Sequence, residues 1–274
     1  MPQKKTKILT LAYLLFLVLL LSSGSLDGVL SEIIYYLAFI LPVLFALLLL
    51  WRSEDKGFGI VLRVDSDTFL YTLLFLAPTV ILISSLSALT SLLVGSLTGV
   101  TNGVSLEGAL PIVIIEHALL PAILEELLFR YLPYRCMRNS PPLTVVFTSA
   151  LVFSVAHMNL FSIPYALFAG AILMSLVYMT ESLLPSLIIH FINNLCSIMI
   201  LLYGDTEWAK ISIFVIFGLL LCLSLLLFVI KRKSILPKIR DSLFAVKPYL
   251  PEAYILLFVI PAMLLAFLSF GGEG

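Results

Sequence analysis

Two adjacent carboxylates, Glu125 and Glu126, sit just before Arg130 in a run, residues 124–130, that is otherwise apolar. An ionisable group at the centre of a membrane helix costs about 2.5–3.5 kcal/mol on insertion scales. Such groups therefore line a cavity, pair with one another or carry chemistry. All three histidines, His117, His157 and His190, also lie in or beside apolar runs. Helical spacing groups these side chains. His190 and Asn194 are four apart and share a face, so they can address one ligand. Glu126 and Arg130 have the same spacing and can pair, while Glu125 is turned ~100° away. Phe153 lies one turn before His157 and can fix its ring. A carboxylate, an imidazole and an imidazole–amide pair are sufficient to activate water and to hold an oxyanion.

Each grouping also has a purely structural reading. Glu126 and Arg130 can form an ion pair that only braces the bundle. His157 can anchor a helix end, and His190 with Asn194 can join helices by hydrogen bonds. Glu116 and His117 fit no motif and read as structural or rim residues.

The elements that must position these groups follow from composition. The 274 residues are 61% hydrophobic and only 12% charged, against about 25% charged in ordinary soluble domains. This excludes a soluble globular domain and points to an all-α, polytopic membrane bundle. Apolar runs fall at about 8–22, 33–51, 69–97, 109–134, 142–158, 161–180, 183–203, 209–230 and 252–270. With roughly 17–25 residues needed per span, they give eight to nine transmembrane helices. Each must be helical, because lipid offers the backbone no partner. The chain reads as a single membrane domain, 1–274, with a four-helix core over 109–203 that holds the polar groups.

Basic residues set the orientation. Lys4, Lys5, Lys7, Arg52, Lys56, Arg63, Arg130, Arg135, Arg138 and the 231–247 cluster fall on one side, and only Lys210 on the other. The expectation is a multi-pass protein of the cell membrane with its N-terminus cytoplasmic. The first run is expected to be retained as an anchor rather than cleaved as a signal. Residues 52–68, 98–108 and 231–251 read as loops. The last, with its Lys and Arg residues, reads as a topology determinant or as a segment lying on anionic lipid. Cys136, Cys196 and Cys222 lack ligand spacing and read as packing residues.

The three groupings resemble the signature of the CPBP family, the CAAX prenyl proteases and bacteriocin-processing enzymes also called the Abi family. Its EExxxR, FxxxH and HxxxN motifs correspond to Glu125-Glu126 with Arg130, Phe153 with His157, and His190 with Asn194. The resemblance covers roughly 109–203. Some family members have an asparagine four residues after the second-motif histidine; here that position is Phe161, and Asn159 stands two residues after His157.

The resemblance implies an intramembrane glutamic-type endopeptidase with no obligatory metal or other cofactor. Carried over by position, Glu125 and His157 activate water, His190 and Asn194 hold the oxyanion, and Glu126 and Arg130 brace the site. Its substrate would be a peptide or lipidated protein, in peptide maturation or bacteriocin self-immunity, with membrane lipids as the other partner and no nucleic acid. Two alternatives stand beside it. His157, His190 and a glutamate can ligate zinc with an open fourth position, although no HExxH occurs. A buried Glu/His chain can also relay protons in a transporter, although no inverted repeat or paired broken helices are visible. One tension concerns depth. Glu125 and His190 count to mid-membrane, whereas His157 counts to the outer end of a helix starting at Pro142.

Overall fold

The structure is a computed structural model. It describes residues 2–51, 62–98, 108–137, 139–159, 161–244, 255 and 258–265. Arg52, Lys56, Arg138, Lys247 and most of the expected 98–108 loop and 252–270 span lie outside the described residues.

The fold is an all-α polytopic bundle. Its helices are α1 (Pro2–Gly24), α2 (Val29–Trp51), α3 (Ser66–Thr98), α4 (an unbroken rod from Leu110 to Cys136), α5 (Pro142–Ala156), α6 (Ile163–Thr180), α7 (Leu184–Tyr203) and α8 (Glu207–Leu243). Six of them, α1, α2, α3, α6, α7 and α8, are long and apolar enough to cross a membrane. The rod α4 contains two π turns, and residues 258–265 add a further helical piece. Lipid rather than a core faces much of the outside: α8 leaves Phe214 81% exposed and Leu219 67% exposed, a surface that water would not tolerate as a contiguous patch.

Two prolines shape α4. Its π turns are Ile115–Leu119 and Leu127–Tyr131, each ending two residues before a proline, Pro121 and Pro133. Proline lacks an N–H, and its ring collides with the carbonyl four residues back. A π turn widens the helix just there. The N–H groups of Leu120 and Leu132 reach back five residues, to the Ile115 and Leu127 carbonyls. At the second proline, the Phe129 carbonyl that Pro133 cannot serve accepts a 2.5 Å hydrogen bond from Ser149 Oγ of α5. This bond fixes α5 against α4.

Other close contacts set the remaining helices. Gly170 of α6 lies against Ala150 of α5, where an added Cβ would come within 2.7 Å of the Ala150 Cα. A small residue at a helix crossing lets backbones approach in this way. Tyr13 and Phe16 of α1 pack on Phe129 of α4 and on Phe258. The starts of α3 and α7 are joined through Arg63 and Ser182, where the Arg63 N–H donates to Ser182 Oγ, which donates to the Arg63 carbonyl, both at 3.1 Å. Asp65 caps α3 by accepting the Thr68 N–H at 2.8 Å, and this bond together with Arg63 lowers its carboxyl pKa.

Three expectations need correction. The 231–251 stretch is not a loop through its first half, because α8 continues as one helix to Leu243, past Pro237. At ~1.5 Å per residue, its 37 residues far exceed a ~30 Å hydrocarbon core. The extension packs on the start of α3, with Lys238 paired to Asp67 at 2.5 Å and Ile235 buried beside Tyr71 and Leu74. Arg130 is not a loop residue that reports topology; it is fully buried. Finally, the 142–158 run is not a full span: α5 has 15 residues, or ~22 Å, and stops short of crossing.

The Ser149 bond is testable. Ser149→Ala leaves a buried carbonyl short of a donor, which costs ~1–3 kcal/mol, so thermal stability in detergent falls. In a Pro133→Ala background the restored N–H can serve Phe129, and the same substitution costs less. Equal losses in the two backgrounds would show that Ser149 does not compensate for Pro133.

Candidate active site

Glu125 and Glu126 lie between the two π turns of α4. The structure brings His190 of α7 against both. His190 Nδ1 is 2.9 Å from Glu126 Oε1, and Nε2 is 3.5 Å from Glu125 Oε2. One imidazole thus bridges the two carboxylates, one ring nitrogen to each. Their surroundings differ: the Glu126 side chain is 2% exposed and that of Glu125 is 14% exposed.

Arg130 completes this centre. Its Nε is 3.5 Å from Glu126 Oε1, so the i,i+4 pair expected from spacing is present as an ion pair. The nearer partner of Glu126 is nevertheless His190. The guanidinium carbon lies 4.0 Å from the centroid of the Phe153 ring. Phe153 in turn meets His157 edge-on at 4.9 Å and His190 edge-on at 5.9 Å, both at 87°. Phe153 therefore does more than steady His157: its ring stands between the arginine and both histidines.

His157 follows the last residue of α5. Its Nδ1–H donates to the Phe153 carbonyl at 2.9 Å, which leaves Nε2 as the acceptor of the neutral ring. The depth problem dissolves because α5 is short and runs antiparallel to α4. Ser149 meets Phe129, Phe153 meets Arg130, and one turn further His157 lines the same cavity as Glu125. Beyond it the chain turns sharply, with Met158 at φ 46°, a left-handed conformation uncommon for a non-glycine residue. Asn159 builds that turn, its Oδ1 accepting the Phe161 N–H at 2.8 Å. Asn159 is thus engaged in local structure.

Two cavities meet at His157. The larger, ≈640 Å³, has Phe153, His157, His190, Asn193 and Asn194 among its lining residues and is closed on one side by Ser84, Ser87 and Ser91 of α3. The smaller, ≈230 Å³, holds Glu125 and His157 among aromatic and aliphatic side chains that include Phe16, Tyr35 and Phe39 of α1 and α2. Asn194 shares the larger cavity with His190, as their spacing requires. Glu116 and His117 are exposed on the first π turn. The walls from α1, α2 and α3 were not legible in sequence, since nothing in an apolar run marks which face meets a cavity. The serines at 84, 87 and 91, at helical spacing within an apolar run, were the one available signal.

The residues present do not make an obvious metal site. The nitrogens of His190 face different carboxylates instead of converging on one point. Among the described residues no three His, Cys, Asp or Glu side chains form a ligand set.

Fold and centre together define the class: a polytopic helical membrane protein with a carboxylate–imidazole centre inside the bundle. Among known families, residues 107–196 match the model of the Rce1-like family, type II CAAX prenyl endopeptidase Rce1-like. The match spans about a third of the chain and includes Glu125, Glu126, Arg130, His157, His190 and Asn194. It bears out the resemblance drawn from the three motifs and places this segment with intramembrane endopeptidases of the CAAX-protease type. No curated protein and no solved structure matches the chain.

The geometry predicts how the buried charges couple. Glu126→Ala leaves Arg130 in the core without its counter-charge, and breaking a buried pair costs ~3–5 kcal/mol. Double-mutant cycles on thermal stability are expected to show coupling of Glu126 with Arg130 and, separately, with His190. Strict additivity in the Arg130 cycle would show that the two charges do not stabilise one another.

Proposed function

We propose that the protein is a glutamic-type intramembrane endopeptidase that hydrolyses a peptide bond in a membrane-associated protein or peptide. The observation that carries this reading is the pairing of two unlike carboxylates about His190, with the less buried one, Glu125, sharing a cavity with His157. Glu125 and His157 take the proton from an attacking water. The water oxygen adds to the scissile carbonyl, and the carbonyl oxygen becomes an oxyanion. As an imidazolium, His190 donates Nδ1–H to Glu126 and Nε2–H to that oxygen, and the Asn194 amide is one turn further along the same face. Preorganised groups aimed at developing charge supply the largest share of such catalysis. Glu126 and Arg130 hold the geometry and do not touch substrate. The proton held by Glu125 then passes to the leaving amine as the carbon–nitrogen bond breaks.

The setting and the family match support a substrate that is a prenylated C-terminal tail, or an apolar peptide precursor matured or neutralised at the membrane. The basic residues Lys4, Lys5, Lys7 and Arg63 and the basic end of α8 support an N-terminus on the cytoplasmic face of the cell membrane. A zinc-dependent protease and a proton-coupled transporter remain as competing classes. The divided surroundings of His190 speak against the first, and the family match speaks against the second.

Purified protein in detergent is expected to cleave a susceptible precursor peptide equally with and without a chelator. Glu125→Gln, nearly isosteric but unable to take the proton, should abolish cleavage while leaving folding intact. Retention of more than a few per cent of activity would remove Glu125 as the base. Loss of cleavage on chelation would favour zinc, and proton flux without cleavage would favour transport. Asn194→Ala should lower kcat by ~10²–10³ with little change in KM; an effect confined to KM would make Asn194 a substrate-binding residue instead.

A further inference from the structure

The larger cavity extends well beyond the groups that the proposed chemistry uses. Its floor is formed by buried Ile189, His190 and Leu173, and Ser91, Ile200 and Leu201 are exposed at its open end. One wall is α3, which lies outside the segment that matches the endopeptidase family. On that wall Ser84, Ser87 and Ser91 face the cavity, and Asn193 and Ser197 of α7 line it as well.

Ser84, Ser87, Ser91 and Asn193 are unusual for helices in an apolar setting, whereas Ser197 donates to the Asn193 carbonyl of its own helix at 3.1 Å. Thr72, Thr90 and Ser96 of the same α3 each donate to a carbonyl of their own helix, as hydroxyls in membrane helices commonly do. Among the described residues, Ser84, Ser87 and Ser91 make no side-chain hydrogen bond, and Asn193 Oδ1 is shielded yet has no partner. The shielded Asn193 Oδ1 costs free energy while it is unmatched, and the serine hydroxyls that line the same cavity are free to bond whatever polar group fills it.

We propose that α3 and α7 form a wall that binds the substrate's polypeptide backbone, with the Ser84, Ser87 and Ser91 hydroxyls and the Asn193 amide holding an extended segment as it approaches His157 and His190. The proposal rests on the peptidase reading and names how its substrate is gripped. A peptide drawn into the bundle loses water from every N–H and C=O group and needs replacements within the protein. Spacing fits the need. At ~1.5 Å rise per residue, Ser87 and Ser91 are ~6 Å apart along the helix. An extended strand advances ~6.6 Å every two residues, presenting like backbone groups at that interval. Recognition through main-chain groups is independent of side-chain identity, so any extended apolar peptide is a valid probe.

The test uses the full chain in lipid nanodiscs, as wild type and as Glu125→Gln, which keeps a bound peptide intact. The probe is a hexapeptide amide of alternating leucine and valine with one photoreactive diazirine side chain, compared with the same peptide N-methylated at alternate amides. Saturable cross-links are expected on residues 83–91 of α3 and 193–201 of α7. The triple substitution Ser84→Ala, Ser87→Ala and Ser91→Ala should lower the yield about tenfold, in line with loss of three modest hydrogen bonds. N-methylation should do the same to the wild-type protein. Ser87→Thr, which keeps the hydroxyl, should retain binding where Ser87→Ala loses it, and Ser85→Ala, one residue away on the exposed side, should change nothing. Absence of saturable cross-linking, cross-links elsewhere, or equal yields for the N-methylated peptide or for the alanine variants would overturn the wall. If the triple variant does not fold, the alanine–threonine comparison at Ser87 decides. Specific cross-linking by a wild-type protein that cleaves no peptide would instead sink the peptidase reading while the binding wall stands.

Discussion

The structure depends on keeping Arg130 and Glu126 charged and matched inside an apolar bundle. Neither side chain reaches water: Arg130 is 0% exposed and Glu126 2%. A single helix cannot meet that demand. The i,i+4 pair leaves Nε and Oε1 3.5 Å apart, so α7 supplies His190 to the carboxylate and α5 supplies the Phe153 ring to the guanidinium. A cation over an aromatic face is favoured most where water is absent. Three helices are thereby tied to one point, and the residues that stabilise the charges are also those that set the two histidines. Stability and site geometry share the same contacts.

The two π turns flank the short regular stretch of α4 that carries both carboxylates. Within that stretch adjacent residues diverge by ~100°, yet both carboxylates reach His190, each facing a different ring nitrogen. The imidazole spans the angle because its two nitrogens point in different directions, and it sits where α7 packs against the stretch between the π turns. Such turns recur at functional sites because each changes the facing of everything that follows it. Here the trigger is local chemistry: Pro121 and Pro133 forbid a regular ladder, and Ser149 repairs the second break.

This explains what was legible beforehand and what was not. Contacts within one helix followed from spacing: Glu126 with Arg130, Phe153 with His157, and His190 with Asn194 on one cavity wall. The all-α membrane bundle followed from composition. Contacts between helices did not, since the bridging role of His190 depends on how α7 is rotated against α4, and no single run encodes that. Hydropathy also misplaced elements whose length is set by packing. The short α5 looked like a span because it is buried in protein rather than bathed in lipid, and α8 continues through Lys231 and Pro237 because Ile235 and Lys238 find partners on α3. Arg130 misled the charge count for the same reason: an arginine matched inside the core reports nothing about which side a loop occupies.

The two carboxylates have unequal surroundings, which is the physical basis for the unequal roles proposed for them. Glu126 is enclosed by His190 and Arg130, and taking up a proton would remove the counter-charge that holds the guanidinium in place. Its ionisation is fixed by the need to keep the bundle matched. Glu125 has no such obligation. His190 Nε2 stands 3.5 Å away, too long for a good hydrogen bond, and the Glu125 side chain opens on the smaller cavity beside His157. A group that must accept a proton and release it again needs space for water and freedom from a structural partner. On the proposed peptidase reading, adjacent positions on one helix divide the work: one carboxylate secures the site, and the other is left free to react.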